Sequence, residues 1–548
     1  MIQILIILSL IFNFTLSAQK NSGLILKYLN RGDYKNAEKE ILKGLRESPE
    51  KEWLYTNLAW AYFYQNQNEK AILTIEKALD KWPKSESVLK AYSGVLSNSA
   101  GVYIRNEENN RAKELLKKAY DLYPVESTYI WYGIVQKNLG EIEDARAILS
   151  EGMKKYPKNE SVLMNAFDVL AYHYKGDGRE GDLVKLKKAF EELYQTDPKP
   201  EYLHTIAIIL REEKKFSESI SLLEQGKNQY KTFYQFAESL PYVKLLYFRS
   251  REESASPDEL KEFVEDAYKN LNRKSKSFSD QFHYKQIIHS GLRKLGDLDY
   301  FELMYDKIIS MYPKDPSVYD NYGFLFYVIH RLKGSVSGEI REKAISFRKK
   351  ALALYEKQNP GRGELKNISF PMKGDVFILS SFSGTGMTHN GFANYCYDFI
   401  AVNEAGEMTR PGSDGSKNED YYNFGSPVYA VEDGIVEDVK SDEEDNLPGG
   451  YSYSANYITL GHKNHSSFYA HLKKGSIPFR IGDKVRKGEL IGLNGNSGMS
   501  SESHLHFCLN DKNWVSLPFR FKKSEVRNGN GAHSGTEPYS EGDIVIFR

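Results

Sequence analysis

Proline recurs at helix-like intervals in the first third of this chain, and no other feature restricts its fold so strongly. Proline cannot continue a helix, because it lacks a backbone N–H and its ring collides with the preceding turn. A regular spacing therefore predicts helical hairpins that stack and bury their apolar faces against one another. The intervals are 34, 41, 33 and 41 residues for Pro49, Pro83, Pro124, Pro157 and Pro198.

Small residues recur twelve and five positions before four of these prolines. Members of a pair are seven residues apart, close to two helical turns, so they share a face that a neighbouring helix can approach. The longer units exceed the shorter ones by seven or eight residues, close to two helical turns, which keeps the apolar faces in phase. The pairs are Ala37 with Gly44, Ala71 with Ala78, Ala112 with Ala119, and Ala145 with Gly152.

Residues 23–198 therefore resemble a tetratricopeptide array, with looser repeats at 201–226 and 312–355 and a helical but out-of-register stretch at 230–300. Such arrays form a concave surface that binds proteins, so we expect a protein partner, although a spacer or stabilising frame is the alternative. We interpret the histidines of this region as ordinary packed or surface residues: His173, His204, His283, His289 and His330.

The first residues have the pattern of an export signal. Residues 4–14 are almost wholly apolar, too short to span a bilayer, and Ser17 and Ala18 offer a cleavage point. We expect a signal peptide at 1–18, with an uncleaved anchor as the alternative, no later membrane span, and a periplasmic or secreted protein. Lys+Arg and Asp+Glu balance at 74 each, which argues against nucleic-acid binding.

The composition changes near residue 360, where Pro and Gly end the helical pattern. We therefore expect a helical region at 19–360, a linker at 361–369 and an antiparallel β domain at 370–548. Two inserts, 404–424 and the acidic 441–453, are typical of loops that select a substrate, though the acidic one is equally typical of a solvated loop. Predicted strands are 375–379, 428–431, 435–439, 457–460, 467–472, 490–493 and 504–509.

Five residues of the β domain form a candidate catalytic group. Alternate residues of a strand share a face, so His504 and His506 project together, and His471 should share a face with Ser467 and Tyr469. Two imidazoles and a carboxylate make a three-ligand zinc site with a position open for water, and two histidines remain for acid/base work. The five are His389, Asp398, His471, His504 and His506.

Residues 370–510 resemble the M23 (lysostaphin/LytM-type) metallopeptidases, zinc-dependent antiparallel β proteins that act mainly on bacterial cell-wall peptides. The resemblance rests on an ordered series of motifs. They are Gly-Ser-Pro-Val-Tyr-Ala-Val at 425–431, Asp-Gly-Ile-Val at 433–436, Phe-Tyr-Ala-His-Leu at 468–472, Ile-Gly-Asp-Lys-Val-Arg-Lys-Gly at 481–488, Ile-Gly-Leu-Asn-Gly-Asn-Ser-Gly at 491–498 and Ser-His-Leu-His-Phe at 503–507.

By position, the resemblance implies that His389, Asp398 and His506 are zinc ligands and that His471 and His504 are the catalytic pair. One departure is that eight residues separate His389 from Asp398, where the family most often has three. Metal-assisted amide hydrolysis is the implied reaction. We interpret the remaining histidines of the domain as surface or turn residues: His462, His465 and His533.

The two cysteines flank the ligand candidates, since Cys396 lies two before Asp398 and Cys508 two after His506. If those ligands pair across antiparallel strands, the cysteines face each other, and a cross-strand disulfide is one hypothesis; two buried thiols are the other.

The sequence therefore predicts an exported zinc endopeptidase acting on peptidoglycan peptides, with a repeat array that docks a partner or positions the enzyme. A non-catalytic wall-peptide binder and a zinc protease acting on a Gly-rich protein are the alternatives.

Overall fold

The computed structural model describes residues 22–271, 278, 281–382, 389–450, 452, 454–528, 531–535 and 539–547. The predicted signal peptide lies outside these residues. None of the helices in the described ranges combines the length and apolar character needed to cross a bilayer. The chain divides into two compact units, and the division in the sequence falls between Tyr247 and Phe248.

The first unit consists of antiparallel helix pairs, as the proline spacing predicted. The first 41-residue interval arises because α5 has 20 residues where α3 has 13. The second contains a π-helical turn, Val169–His173, after α9. The helices are α1 Ser22–Asn30, α2 Tyr34–Glu47, α3 Glu52–Tyr64, α4 Asn68–Lys81, α5 Glu86–Arg105, α6 Asn109–Leu122, α7 Glu126–Asn138, α8 Ile142–Lys155, α9 Glu160–Asp168, α10 Arg179–Thr196, α11 Pro200–Glu212, α12 Phe216–Gln229 and α13 Gln235–Arg251.

The recurring alanines lie at the closest helix contacts, which confirms the prediction drawn from their spacing. Ala37, Ala71, Ala112 and Ala145 are fully buried. Gly152 is equally constrained, because a Cβ there would lie 2.9 Å from Cβ of Tyr129. Only the smallest side chains therefore fit where one hairpin packs on the next.

The second unit begins with further helices and ends with the β domain. Helices α17 and α18 approach so closely that a Cβ on Gly323 would lie 2.4 Å from the Ala344 carbonyl oxygen. The helices of this unit are α14 Pro257–Lys269, α15 Phe282–Leu295, α16 Leu298–Met311, α17 Pro316–Leu332 and α18 Gly338–Gln358.

The β domain is built on a ten-stranded antiparallel sheet, with two-stranded sheets beside it. The predicted antiparallel β fold is thus confirmed, and the ends of the predicted strands shift by at most two residues. The predicted linker at 361–369 was wrong in part, because it contains β1, which pairs with β11. The strands are β1 Leu365–Ile368, β2 Gly374–Ser380, β3 Tyr397–Val402, β4 Pro427–Tyr429, β5 Gly434–Lys440, β6 Tyr457–Gly461, β7 Ser466–Ala470, β8 Lys484–Val485, β9 Leu490–Leu493, β10 Leu505–Asn510, β11 Phe519–Phe521, β12 Ser524–Asn528, β13 Gly531–Gly535 and β14 Ile544–Phe547.

Strand order in the large sheet is β13-β12-β14-β2-β3-β10-β7-β6-β5-β8. Strand β1 pairs in parallel with β11, and β4 pairs antiparallel with β9. One face of the central strands carries the apolar core, in which Phe399, Tyr469 and Phe507 are fully buried. Because strand side chains alternate, the neighbours of these residues project from the opposite face. That face carries the candidate site.

The register of β3 and β10 pairs Asp398 directly with His506. The same register brings Cys396 opposite Cys508, and the two are joined in a disulfide with 4.5 Å between their Cα atoms. The hypothesis of a cross-strand disulfide is therefore correct.

Candidate metal centre and active site

The three predicted metal ligands converge on one point although they come from a loop and two strands. His389 follows the described end of β2, Asp398 lies in β3 and His506 in β10. The Nε2 atom of His389 is 3.1 Å from one Asp398 carboxylate oxygen, and Nδ1 of His506 is 2.8 Å from the other. Candidate ligand atoms of the three residues all lie within 4.8 Å of one another. Two nitrogens and one oxygen at this separation suit one divalent cation.

A buried nitrogen without a partner tests whether a metal fits here. The Nδ1 atom of His389 is 3.2 Å from the Ser381 carbonyl oxygen, to which it can donate its proton. The opposite nitrogen, Nε2, is buried and makes no hydrogen bond to the described residues, although it lies 3.1 Å from the Asp398 carboxylate oxygen. Burying an unpaired polar atom is costly, whereas a cation would use its lone pair. The carbonyl on the other nitrogen is the usual support for a metal-binding histidine.

The electrostatics of the site centre on Asp398. Burial by itself would raise the pKa of Asp398, but His389, His504 and His506 outweigh it and hold the pKa well below the ordinary value. Burial by itself would lower the pKa of His389, but the negative charge of Asp398 outweighs burial and raises it. Burial lowers the pKa of His506 despite the adjacent carboxylate. The carboxylate is therefore ionised and its negative charge favours a bound cation.

His471 and His504, the predicted catalytic pair, lie side by side at the edge of this group. Their ring centroids are 4.6 Å apart, and Nε2 of His504 is 3.7 Å from a carboxylate oxygen of Asp398. A carbonyl oxygen faces Nδ1 of each ring, from Ser497 at 2.7 Å and from Glu502 at 2.9 Å. These carbonyls favour the tautomer that leaves Nε2 free as a proton acceptor.

The pKa of His471 is lowered to about 3, first by burial and then by the neighbouring His504 and His506. The imidazole is therefore neutral at physiological pH, the form in which a histidine can accept a proton.

The predicted orientation of His471 was wrong. Strand β7 ends at Ala470, and Ser467 and Tyr469 face the core rather than the site. His471 has a φ of 65°, in the left-handed region that non-glycine residues seldom occupy. This conformation breaks the alternation and turns the ring towards His504 and His506. Such strain persists only where the surrounding structure holds it, often at functional sites.

Sequence reasoning missed the contribution of the acidic insert. Asp445 Oδ1 accepts a hydrogen bond from the Asn496 backbone N–H at 2.7 Å, and Asn446 donates to the carbonyls of Gly498 and Ser500. The insert thus holds the turn that carries the Ser497 carbonyl. The sequence shows Asp445 and Asn446 within a charged loop, but no neighbouring residue indicates that they contact the turn at 496–500.

Two other groups of metal-ligand residue types have different explanations. Cys396 and Cys508 lie beside His506 but are consumed by the disulfide. Glu432, His462 and His465 cluster at the β6–β7 turn.

Both nitrogens of His462 face partners, the Asp433 carbonyl at 2.8 Å and the Ser467 hydroxyl at 2.9 Å, and His465 contacts Glu432 at 2.7 Å. These contacts support the turn roles predicted for both histidines. The side chain of His533 lies outside the described residues.

Comparison with known proteins identifies the region. Residues 420–518 match Peptidase family M23. This M23 match contains His471, His504 and His506, while His389 and Asp398 precede it. Residues 55–85 match a tetratricopeptide repeat.

Curated relatives match the same part of the chain. Peptidoglycan DD-endopeptidase ShyA of Vibrio cholerae is 36% identical over 87 residues, 16% of this chain and 18% of the relative. Glycyl-glycine endopeptidase ALE-1 of Staphylococcus capitis is 35% identical over 89 residues, 16% of this chain and 22% of the relative. Lysostaphin of Staphylococcus simulans is 38% identical over 90 residues, 16% of each chain. The chain thus spans about a fifth of the length of these relatives.

Among solved structures, the tetratricopeptide protein YrrB is 16% identical, with 36% of this chain and 96% of that chain covered and a TM-score of 0.29. The catalytic domain of lysostaphin from Staphylococcus simulans is 22% identical, with 27% and 88% covered and a TM-score of 0.17.

Proposed function

We propose that the protein is an exported zinc metalloendopeptidase that hydrolyses peptide bonds in bacterial peptidoglycan. The observation that carries the proposal is the convergence of His389, Asp398 and His506, with the partnerless nitrogen of His389 aimed at the Asp398 carboxylate. Relatives of the M23 region include enzymes named for peptidoglycan and glycyl-glycine endopeptidase activity, which supports the substrate class.

In this proposal His389, Asp398 and His506 hold the ion. A bound zinc would polarise the scissile carbonyl and lower the pKa of a coordinated water towards about 7. Hydrolysis of the peptide adds water to the carbonyl carbon, breaks the C–N bond and requires a proton on the departing amine. His471 and His504 present Nε2 atoms to this space, and either can accept the water's proton or stabilise the developing oxyanion.

The helical repeats have a separate role in the proposal, which is to dock a protein partner or position the enzyme on its substrate. Export by the predicted signal peptide would bring the enzyme to the wall. No nucleic-acid ligand is proposed, because the charges balance.

A wall-peptide binder without activity is the competing function, and it would keep the same cleft. The anchoring of both His471 and His504 through Nδ1 favours the enzyme, because a binding cleft has no need for two free imidazole nitrogens beside a metal site. The repeats alone do not separate the two readings.

The test uses purified full-length protein and isolated cell walls, with release of new peptide amino groups measured by mass spectrometry. We expect release that stops with a chelator, returns with zinc and is absent in His506→Ala. His465→Ala is the matched control and should retain activity, since it removes a histidine of the β6–β7 turn that contacts Glu432 instead. A zinc-loaded wild-type protein that binds walls but releases no peptide ends would establish the binder instead.

A further inference from the structure

The segment between the first two proposed ligands is held by the repeat helices rather than by the β domain alone. Residues 390–397 are the eight that separate His389 from Asp398. They contain a 3₁₀ turn, Gly391–Ala393, that packs against α18. Only Asn390 separates His389 from this turn, so the position of the turn sets the position of the ligand.

An ion pair between α17 and α18 captures the turn. The Nε atom of Arg348 donates to Oδ1 of Asp320 at 3.0 Å, and the backbone N–H of Phe392 donates to the same oxygen at 3.1 Å. The exposed fractions of these two side chains are 6% for Arg348 and 15% for Asp320. A shielded carboxylate that accepts both bonds fixes the turn in a low-dielectric setting, where charge-assisted hydrogen bonds are strong.

Gly391 shows how tightly the turn is seated. Its φ is 62°, which glycine adopts without strain, and a Cβ there would lie 2.0 Å from Oδ1 of Asp320. No other residue fits without displacing the ion pair. Glycine is therefore required at position 391 both by the backbone conformation of the turn and by the close approach of Asp320.

Contacts on the far side of the segment complete the attachment. The Phe392 carbonyl accepts a hydrogen bond from the Ser516 backbone N–H at 2.7 Å, and the Phe392 ring lies 5.6 Å from that of Tyr355 in α18. The Tyr355 hydroxyl donates to Asp511 at 3.0 Å. Helix α18 and the 511–516 turn thus both contact the 390–397 segment and hold it in place.

We propose that Asp320 and Arg348 are positioning residues for the metal site, so that the last repeat helices form part of the catalytic unit. Asp320 accepts the hydrogen bond of the Phe392 amide and so fixes the 3₁₀ turn that begins at Gly391. The fixed turn keeps His389 within reach of Asp398. This inference rests on the proposed function, because the ion it serves is the zinc of that site. It assigns the helices α17 and α18 a role beyond partner docking.

The test measures the zinc dissociation constant of full-length protein by competition with a chelator. Loss of a residue that supports a metal ligand typically weakens binding about 10- to 100-fold, and we expect this for Asp320→Ala. Asp320→Asn keeps the oxygen that accepts from Phe392, so it should recover part of the affinity. Asp182→Ala is the matched control, because it breaks a similarly buried helix–helix ion pair with Arg146 in the first unit.

The control should bind zinc within about twofold of wild type, as expected for an independent site. The proposal is overturned if Asp320→Ala also binds within that range. If Asp320→Ala does not fold, Gly391→Ala, whose Cβ would lie 2.0 Å from Oδ1 of Asp320 and so displace it, is judged by the same criterion. If wild-type protein binds no zinc, the proposed function fails, and hydrogen exchange of residues 389–398 then decides on the positioning role. Asp320→Ala must accelerate that exchange relative to Asp182→Ala, and equal rates refute it.

Discussion

Removing the disulfide should destabilise the β domain while leaving the metal site able to bind zinc. The bond between Cys396 and Cys508 closes a loop with a sequence separation of 112. Chain-entropy arithmetic for a loop of that length gives about 4.8 kcal/mol at 25 °C, towards the upper end of measured disulfide effects. Replacing both cysteines by alanine removes only one buried sulfur atom from each side chain, so the cavity adds little to this. We therefore expect a loss of about 3 to 5 kcal/mol in free energy of unfolding.

The site should survive because other contacts fix the strands. The β-ladder pairs Leu505 with Phe399 and His506 with Asp398. Phe399 and Phe507 are fully buried in the core on the opposite face. The disulfide acts mainly on the unfolded chain, whereas the ladder and core set the native positions of the ligands. Cys508 Sγ lies 3.2 Å from Nε2 of His506, so zinc affinity should fall by no more than about 10-fold rather than be lost.

Hydrogen exchange by mass spectrometry is the appropriate assay, because peptides from β3 and β10 report this domain separately from the helices. The double variant and the wild type are compared without zinc. Reduction by a thiol should bring the exchange rates of the wild type to those of the variant, and it should not change the rates of the variant. A loss below about 1 kcal/mol in β3 and β10 would refute the loop-entropy reasoning. A large loss of zinc affinity would instead show that the disulfide, not the ladder, sets the ligand register.

Three further predictions follow from other contacts. His471→Ala should lower wall hydrolysis by about 10²- to 10⁴-fold while zinc stoichiometry is unchanged; loss of zinc would contradict an acid/base role. Gly323→Ala should lower the free energy of unfolding in urea by about 1 to 3 kcal/mol, because the added Cβ would lie 2.4 Å from the Ala344 carbonyl oxygen. Gly338→Ala is the control and should be tolerated, because a Cβ there has no neighbour within 4 Å.

The third concerns pH. Burial and the nearby Lys285 charge lower the pKa of His289 to about 3 from 6.5. Below pH 6.5 the unfolded chain therefore binds a proton at this histidine that the native state does not bind. As the pH falls towards about 3, the free energy of unfolding decreases by up to about 1.4 kcal/mol per pH unit. His289→Gln should remove this part of the slope in urea titrations between pH 7 and 4.5, and parallel curves would exclude the mechanism.

Helical repeats were predictable because their signals are local. Proline disfavours a helix interior because of its own covalent structure, although Pro241 lies inside α13. Residues such as Ala71 and Ala112 must be small wherever two helices touch. The seven extra residues of α5 also follow from spacing alone. By contrast, nothing local marked the contact of α17 and α18 with the segment around Phe392, since these residues are remote in sequence.

The sequence also supplied the chemistry of the candidate site but not its assembly. The residue types, their order and the strand period suggested that His504 and His506 share a face, and the structure agrees. The same period failed at His471, because one left-handed residue reverses the direction of the side chain. Backbone carbonyls such as that of Ser497 carry no residue identity, so their part in orienting the imidazoles was invisible.

By itself, then, the sequence determined the two architectures, the five side chains and the cysteines, because periodicity and residue type are properties of the chain. Tertiary structure alone decided the register that pairs Asp398 with His506, the turn of His471 and the capture of Phe392 by Asp320. Each of these depends on atoms that meet only after distant segments pack, where the free energy of a contact is set by burial and geometry rather than by neighbours in sequence.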